Sequence, residues 1–142
     1  MSQLNDPEVY APVCHSHVSH ALVCLASFLK FSDSNWPLTI LDDGSLDDSD
    51  ANRLLTLGNR CRLIRRCELD QMVEPHLARF RHILNYRREH FFGIKLVYPA
   101  VLTKSLAGAL LLDSDILFVR PFRGLLKRDH GRDMVFMREM RQ

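Results

Sequence analysis

Apolar positions in this chain change their period as the sequence runs. Residues 9–14 (Val-Tyr-Ala-Pro-Val-Cys) read as a short strand, with Pro12 a blemish suited to a sheet edge or a strand end. The period then becomes helical: Val18, Ala21, Leu22, Leu25, Ala26 and Leu29 recur on one face, and Ser16 is placed to cap that helix. A second strand is expected over 37–41, stopped by the turn signal Asp42-Asp43-Gly44. Asp47, Asp48 and Asp50 follow, crowded where a helix dipole favours negative charge, and that helix runs through Leu54 and Leu55 to Gly58, a natural terminator.

Residues 61–64 form a third short strand, and a helical stretch from about 68 to 89 is broken or restarted at Pro75. Ile94, Val97, Val101 and Leu102 mark another helical stretch. The run 107–112, Ala-Gly-Ala-Leu-Leu-Leu, is continuously apolar, as in a strand buried on both faces. A turn with a short helix over 121–126 and a last strand over 134–137 complete the pattern. Strand and helix thus alternate, which predicts an α/β fold with a Rossmann-like, mostly parallel sheet and helices on both faces. One domain, residues 9–142, follows a loose stretch over 1–8. In such sheets ligands gather at the carboxyl ends of the strands.

Composition adds exclusions. The 142 residues are 46% apolar and 25% charged, ordinary values for a folded globular chain. A net charge of +2, with 15 Arg against 4 Lys, is too balanced to indicate nucleic-acid binding. No run approaches the roughly 18–20 apolar residues of a membrane span, and the first residues carry no signal-peptide pattern. Cys14, Cys24, Cys61 and Cys67 have no zinc-site spacing, so free thiols in a cytoplasmic protein are the expectation.

Three segments bear on chemistry. Asp113-Ser114-Asp115 follows the apolar run directly and is itself followed by Ile116-Leu117-Phe118. Residues i and i+2 of an extended chain point to one side, so the two carboxylates can converge as hard donors for Mg²⁺ or Mn²⁺. A charged pair between apolar flanks is costly unless a cation compensates it. In Asp42-Asp43-Gly44-Ser45 the carboxylates can accept from a nucleobase N–H or a ribose hydroxyl, or simply build a strand-to-helix turn. Lys95, near a helix start, can face a diphosphate as a point charge or lie solvated. His15 and His17 follow the first strand at the ligand-binding end, where a surface role is expected. The Arg-rich stretches 60–66 and 79–88 read as solvated faces.

Together these segments resemble the GT-A type of glycosyltransferase, which uses nucleotide-diphospho-sugars. Ile40-Leu41-Asp42-Asp43-Gly44-Ser45 is similar to that family's nucleotide-binding turn, and Phe92-Gly93-Ile94-Lys95-Leu96 to the segment opening the helix before its metal motif. The run from Ala109 to Phe118 is similar to its flanked D-x-D, about 70 residues after the first turn. The resemblance implies that Asp115 and Asp113 hold Mn²⁺ or Mg²⁺ against the diphosphate of a donor, most simply a UDP-sugar. It also implies that Asp113 reaches the ribose, that Asp42 or Asp43 recognises the base or ribose, and that Lys95 assists the phosphates. The sugar would pass to an acceptor hydroxyl, with the metal neutralising the leaving diphosphate. Members of the family continue well beyond the D-x-D, whereas 27 residues follow Asp115 here. The chain is therefore expected to be a donor-binding part, with the acceptor region missing and an exposed sheet edge open to self-association. A non-catalytic nucleotide-sugar-binding remnant is the alternative. A phosphatase of the haloacid-dehalogenase type is a weaker one, because Leu117 stands where its motif carries Thr or Val.

Overall fold

The computed structural model describes residues 7–32, 36–105 and 108–122. Its strands β1 (Glu8–Val13), β2 (Leu38–Asp42), β3 (Cys61–Ile64) and β4 (Ala109–Leu111) are all parallel, in the spatial order β3-β2-β1-β4. Helices α1 (Val18–Phe31), α2 (Asp48–Leu55), α3 (Arg66–Leu77), α4 (Arg81–Glu89) and α5 (Phe92–Leu102) connect them. The α/β class with a parallel, Rossmann-like sheet and flanking helices is as the alternation predicts.

Strand periodicity sorts the core into two layers. Val9, Ala11 and Val13 of β1 and Leu38 and Ile40 of β2 pack against Ala21, Cys24, Leu25 and Phe28 of α1 and Leu54 of α2. Tyr10 and Leu41 face the other way, toward Leu69 and Val73 of α3 and Ile94, Val97 and Tyr98 of α5. Chain order explains the division. The steps from β1 to β2 and β2 to β3 move one way across the sheet and leave α1 and α2 on one face. The return from β3 to the far side of β1 leaves α3 and α5 on the opposite face, as right-handed crossovers require. The direction of travel therefore reverses between β1 and β4, which is where a parallel sheet opens a crevice at its carboxyl edge.

Pro12 deepens that crevice. It lies in a strand flanked by β2 and β4, not at an edge. Its pairing with β2 is intact, opposite Leu41. On the β4 side the ladder closes with the Leu112 N–H donating to Tyr10 O at 2.8 Å. The next donor in that ladder is the nitrogen of Pro12, which has no hydrogen. Pairing of β1 with β4 stops there, and the chain after Leu112 is free to leave the sheet.

Other expectations are corrected. The apolar run ending at Leu112 is not buried on both faces: Ala109 and Leu111 are exposed, and β4 is the edge strand among the described residues. Only its even positions, Leu110 and Leu112, meet the α1 layer. Ser16 makes no cap; residues 15–17 form one 3₁₀ turn leading into α1. Pro75 does not break its helix, because α3 continues to Leu77 on a buried stripe of Leu69, Val73 and Leu77 that absorbs one lost hydrogen bond. The strand expected over 134–137, and most of the 121–126 turn, lie outside the described residues. No helix among the described residues is long and apolar enough to cross a membrane.

Candidate functional site

The carboxyl edge of the sheet gathers the segments singled out above. Asp113-Ser114-Asp115 leaves β4 and turns over the start of α1. Ser114 is buried, while Asp113 and Asp115 on either side of it are exposed. The turn is fastened to α1 at two points: the Cys24 thiol donates to Asp113 O at 3.2 Å, and the Phe118 N–H donates to Ser27 Oγ at 3.1 Å. Phe28 of α1 stacks with Phe118 and Phe122 behind it. This explains the apolar flank, in which Ile116 and Phe118 pack on the core while Leu117 faces solvent. Burial pushes the Cys24 thiol up to about 11, and the charges of Asp115 and Asp113 add to the shift.

Asp113 already has a cationic partner. Lys95, one turn into α5, places its ammonium on Asp113 Oδ1. The lysine and the D-x-D, 18 residues apart in sequence, thus meet at the crevice. His17, last residue of the 3₁₀ turn before α1, lies 3.4 Å from Ser114 Oγ through Nδ1. Asp113 and Asp115 are both exposed, on either side of the buried Ser114, and carboxylates are hard donors of the kind divalent cations take.

The turn after β2 stands across β1, two strand spacings or about 10 Å away. Asp42 is buried, and its Oδ1 accepts from Gly44 N at 2.7 Å and Leu46 N at 3.3 Å. Its Oδ2 lies 3.5 Å from Arg65. Asp42 is therefore used in building the loop. Asp43 is half-buried; its Oδ1 accepts from Ser45 N and Ser45 Oγ, at 2.9 and 2.6 Å. Gly44 has φ +99°, and the Arg66 side chain covers it, 3.3 Å from where a Cβ would stand. Arg66 Nη1 also donates to Asp43 O at 2.7 Å.

Behind this loop lies a charge cluster that periodicity does not reveal. Asp70 Oδ2 meets Arg66 Nε at 3.4 Å, while Asp70 Oδ1 accepts from Tyr98 OH at 2.7 Å and from Arg87 Nη2. Arg87, expected on a solvated face, is 2% exposed and stacks on the Tyr98 ring at 4.4 Å. Its Nε and Nη1 have no hydrogen-bond partner among the described residues. Burial pulls its guanidinium below the usual arginine range, and Asp70 opposes that.

A second cluster joins the acidic residues that open α2 to His15, a pairing that the sequence reading missed. Asp47 caps α2, with Oδ1 accepting from Asp50 N at 2.8 Å and Asp50 Oδ2 accepting from Asp47 N at 3.2 Å. His15 Nδ1 sits 2.6 Å from the same Asp50 oxygen. Ligand atoms of His15, Asp47 and Asp50 lie within 4.8 Å of one another, the one such trio among the described residues. The hydrogen bond raises His15 and lowers Asp50 from their ordinary values. The acidic crowding marked the start of α2, but nothing local in the sequence pairs Asp50 with a histidine 35 residues earlier. His15 also fixes the neighbouring loop, its backbone N–H donating to Ser45 Oγ at 2.8 Å.

No protein-family model, curated protein or solved structure matches the chain.

Proposed function

We propose that the chain binds a nucleoside-diphosphate sugar with a divalent cation at the crevice between β1 and β4, and transfers the sugar to an acceptor hydroxyl in the manner of a GT-A glycosyltransferase. One observation carries the reading. The D-x-D turn stands at the point where strand order reverses, with Lys95 of α5 already drawn onto Asp113. A carboxylate joined to a lysine there, with the exposed Asp115 two residues on, suits a metal-bound diphosphate.

The roles divide by position. Asp115 and Asp113 hold Mn²⁺ or Mg²⁺. When bound, the cation acts as a Lewis acid that neutralises charge growing on the leaving diphosphate. Lys95, released from Asp113, keeps its ammonium beside the phosphates. The amino end of α1 faces the same crevice and favours anionic oxygens. Asp43 is the residue of its pair that can meet the nucleoside, because the Asp42 carboxylate is buried in its own loop.

The test is calorimetric titration of UDP with and without Mn²⁺. The expected result is binding that requires the metal and is abolished by Asp115→Ala. Equal binding by that variant overturns the site. Absence of sugar transfer or donor hydrolysis in a protein that binds UDP and Mn²⁺ assigns it to binding alone.

A further inference from the structure

We propose that the outer face of α4 and α5 is a docking surface for an anionic lipid bilayer. Between these helices runs an open groove of about 470 Å³, lined by Leu77, Ile83, Tyr86, Leu96, Val97 and Val101 among others. Its rims are apolar side chains left in solvent: Leu96 and Phe92 of α5 are 64% and 61% exposed, and Ile83 of α4 is 44% exposed. Phe91 and Phe92, at the corner where α4 meets α5, pack edge to face and extend the patch. A patch of this kind, contiguous and rimmed by charge, marks an interaction site on a folded protein.

Charge decides what covers it. Residues 76–95 hold five cations and one carboxylate, a formal +4, with three histidines besides, whereas the whole chain is +2. Arg87 is buried, Arg88 is paired with Glu74 at 2.8 Å and Lys95 with Asp113, so none of the three supplies free surface charge. Arg79 and Arg81 are exposed and have no carboxylate partner among the described residues. Arg79 lies over the Phe80 ring, 5.1 Å from its centroid. Exposed Phe and Tyr beside Arg suit the level of lipid headgroups, where rings enter the acyl boundary and guanidinium groups meet phosphate. A second copy of the chain fits less well, because a two-fold contact brings the same cationic face of both copies, Arg79 and Arg81 included, into one interface. A nucleic acid fits less well too, because the groove is lined mostly by apolar side chains and offers almost no hydrogen-bonding surface.

The patch borders the donor site. Lys95 Nζ lies 5.9 Å from the centroids of both Phe91 and Phe92, and the same ammonium pairs with Asp113. A bilayer on this face sits next to the crevice.

Sedimentation of the full chain with vesicles tests the proposal. Vesicles of phosphatidylcholine and phosphatidylglycerol in equal parts are expected to bind it, and vesicles of phosphatidylcholine alone to bind it far more weakly. Added salt should release the protein. Arg79→Gln with Arg81→Gln should weaken binding roughly thirtyfold, about fivefold for each cation removed. Phe91→Ser with Phe92→Ser should weaken it at least about tenfold through lost apolar burial. All four side chains are exposed, so unchanged circular dichroism is expected and separates lost docking from lost folding. Four results overturn the proposal, three of them from the vesicle and oligomer measurements. These three are no binding to the mixed vesicles, equal binding by the folded variants, or a dimer in sedimentation equilibrium that the phenylalanine changes dissociate. Binding of a single-stranded oligonucleotide in place of vesicles, lost in the same variants, also overturns it.

Discussion

His15 shows how one side chain can tie two loops and leave a signature in pH. Its ring Nδ1–H donates to the Asp50 carboxylate and its backbone N–H donates to Ser45 Oγ, so it joins the end of β1 to the start of α2. Asp50 raises the imidazole above its ordinary 6.5, and the imidazole lowers Asp50 below its ordinary 3.8. A raised imidazole contributes stability in full below the unfolded value, and the contribution is lost as pH rises through the folded value. A lowered carboxyl contributes above its unfolded value and loses the contribution as pH falls through the folded one. The pair is thus strongest between about pH 4 and pH 6.5. His15→Gln should lower the melting temperature most in that window and progressively less as pH rises beyond it. A difference that stays flat across the titration means that the two charges do not pair in solution.

The contact of α4 with α5 depends on Gly93. A Cβ there would stand 2.6 Å from Arg87 Cα and 3.1 Å from Tyr86 O, both backbone atoms that cannot step aside. Gly93→Ala should therefore part the helices and destabilise the fold by about 1–2 kcal/mol, an overpacking cost reduced by the better helix propensity of alanine. Urea unfolding measures it, and a stabilised variant refutes the contact. The sequence offered Gly93 only as part of a motif with Lys95; its packing reason depends on α4, whose approach no local pattern shows. The same limit governs what else was legible. The short apolar runs of β1 and β2, the helical period of α1, and the acidic first turn and Gly58 that bound α2 are local, so strand and helix order could be read directly. Asp113, Ser114 and Asp115 could be placed at a strand end for the same reason. The β4 edge could not, since an apolar run looks alike whether one neighbour or two flank it. Arg87 was misread as solvated because its counter-ion, Asp70, lies 17 residues earlier on another helix.

Over the whole molecule, that ion pair joins two parts of the proposed donor site that the sheet holds apart. The loop after β2 hangs on Arg66, which donates to Asp43 O; Arg66 meets Asp70; Asp70 holds Arg87 and Tyr98; and Tyr98 belongs to α5, which offers Lys95 to Asp113. The nucleoside side and the phosphate side are thus fastened through the helices on one face, not only through the strands between them. Asp70→Asn keeps the shape and removes the charge that three of these contacts share, those to Arg66, Arg87 and Tyr98. It leaves Arg87 buried beside a neutral amide with two donors already unpartnered, a loss of about 3 kcal/mol, at the low end for a broken buried pair because Asp70 itself is partly exposed. Tyr98→Phe removes one hydrogen bond and keeps the charge, so it should cost about 1 kcal/mol. Stability alone does not separate a linkage from a plain support. The distinguishing measurement is the UDP titration in saturating Mn²⁺, at a temperature where both variants are folded. If Asp70 positions the loop, its substitution weakens UDP severalfold while Mn²⁺ affinity stays that of the parent, since Asp113 and Asp115 are untouched. If UDP affinity is unchanged in a folded but less stable Asp70→Asn protein, the relay serves the core alone, and the two sides of the crevice are set independently by β2 and β4.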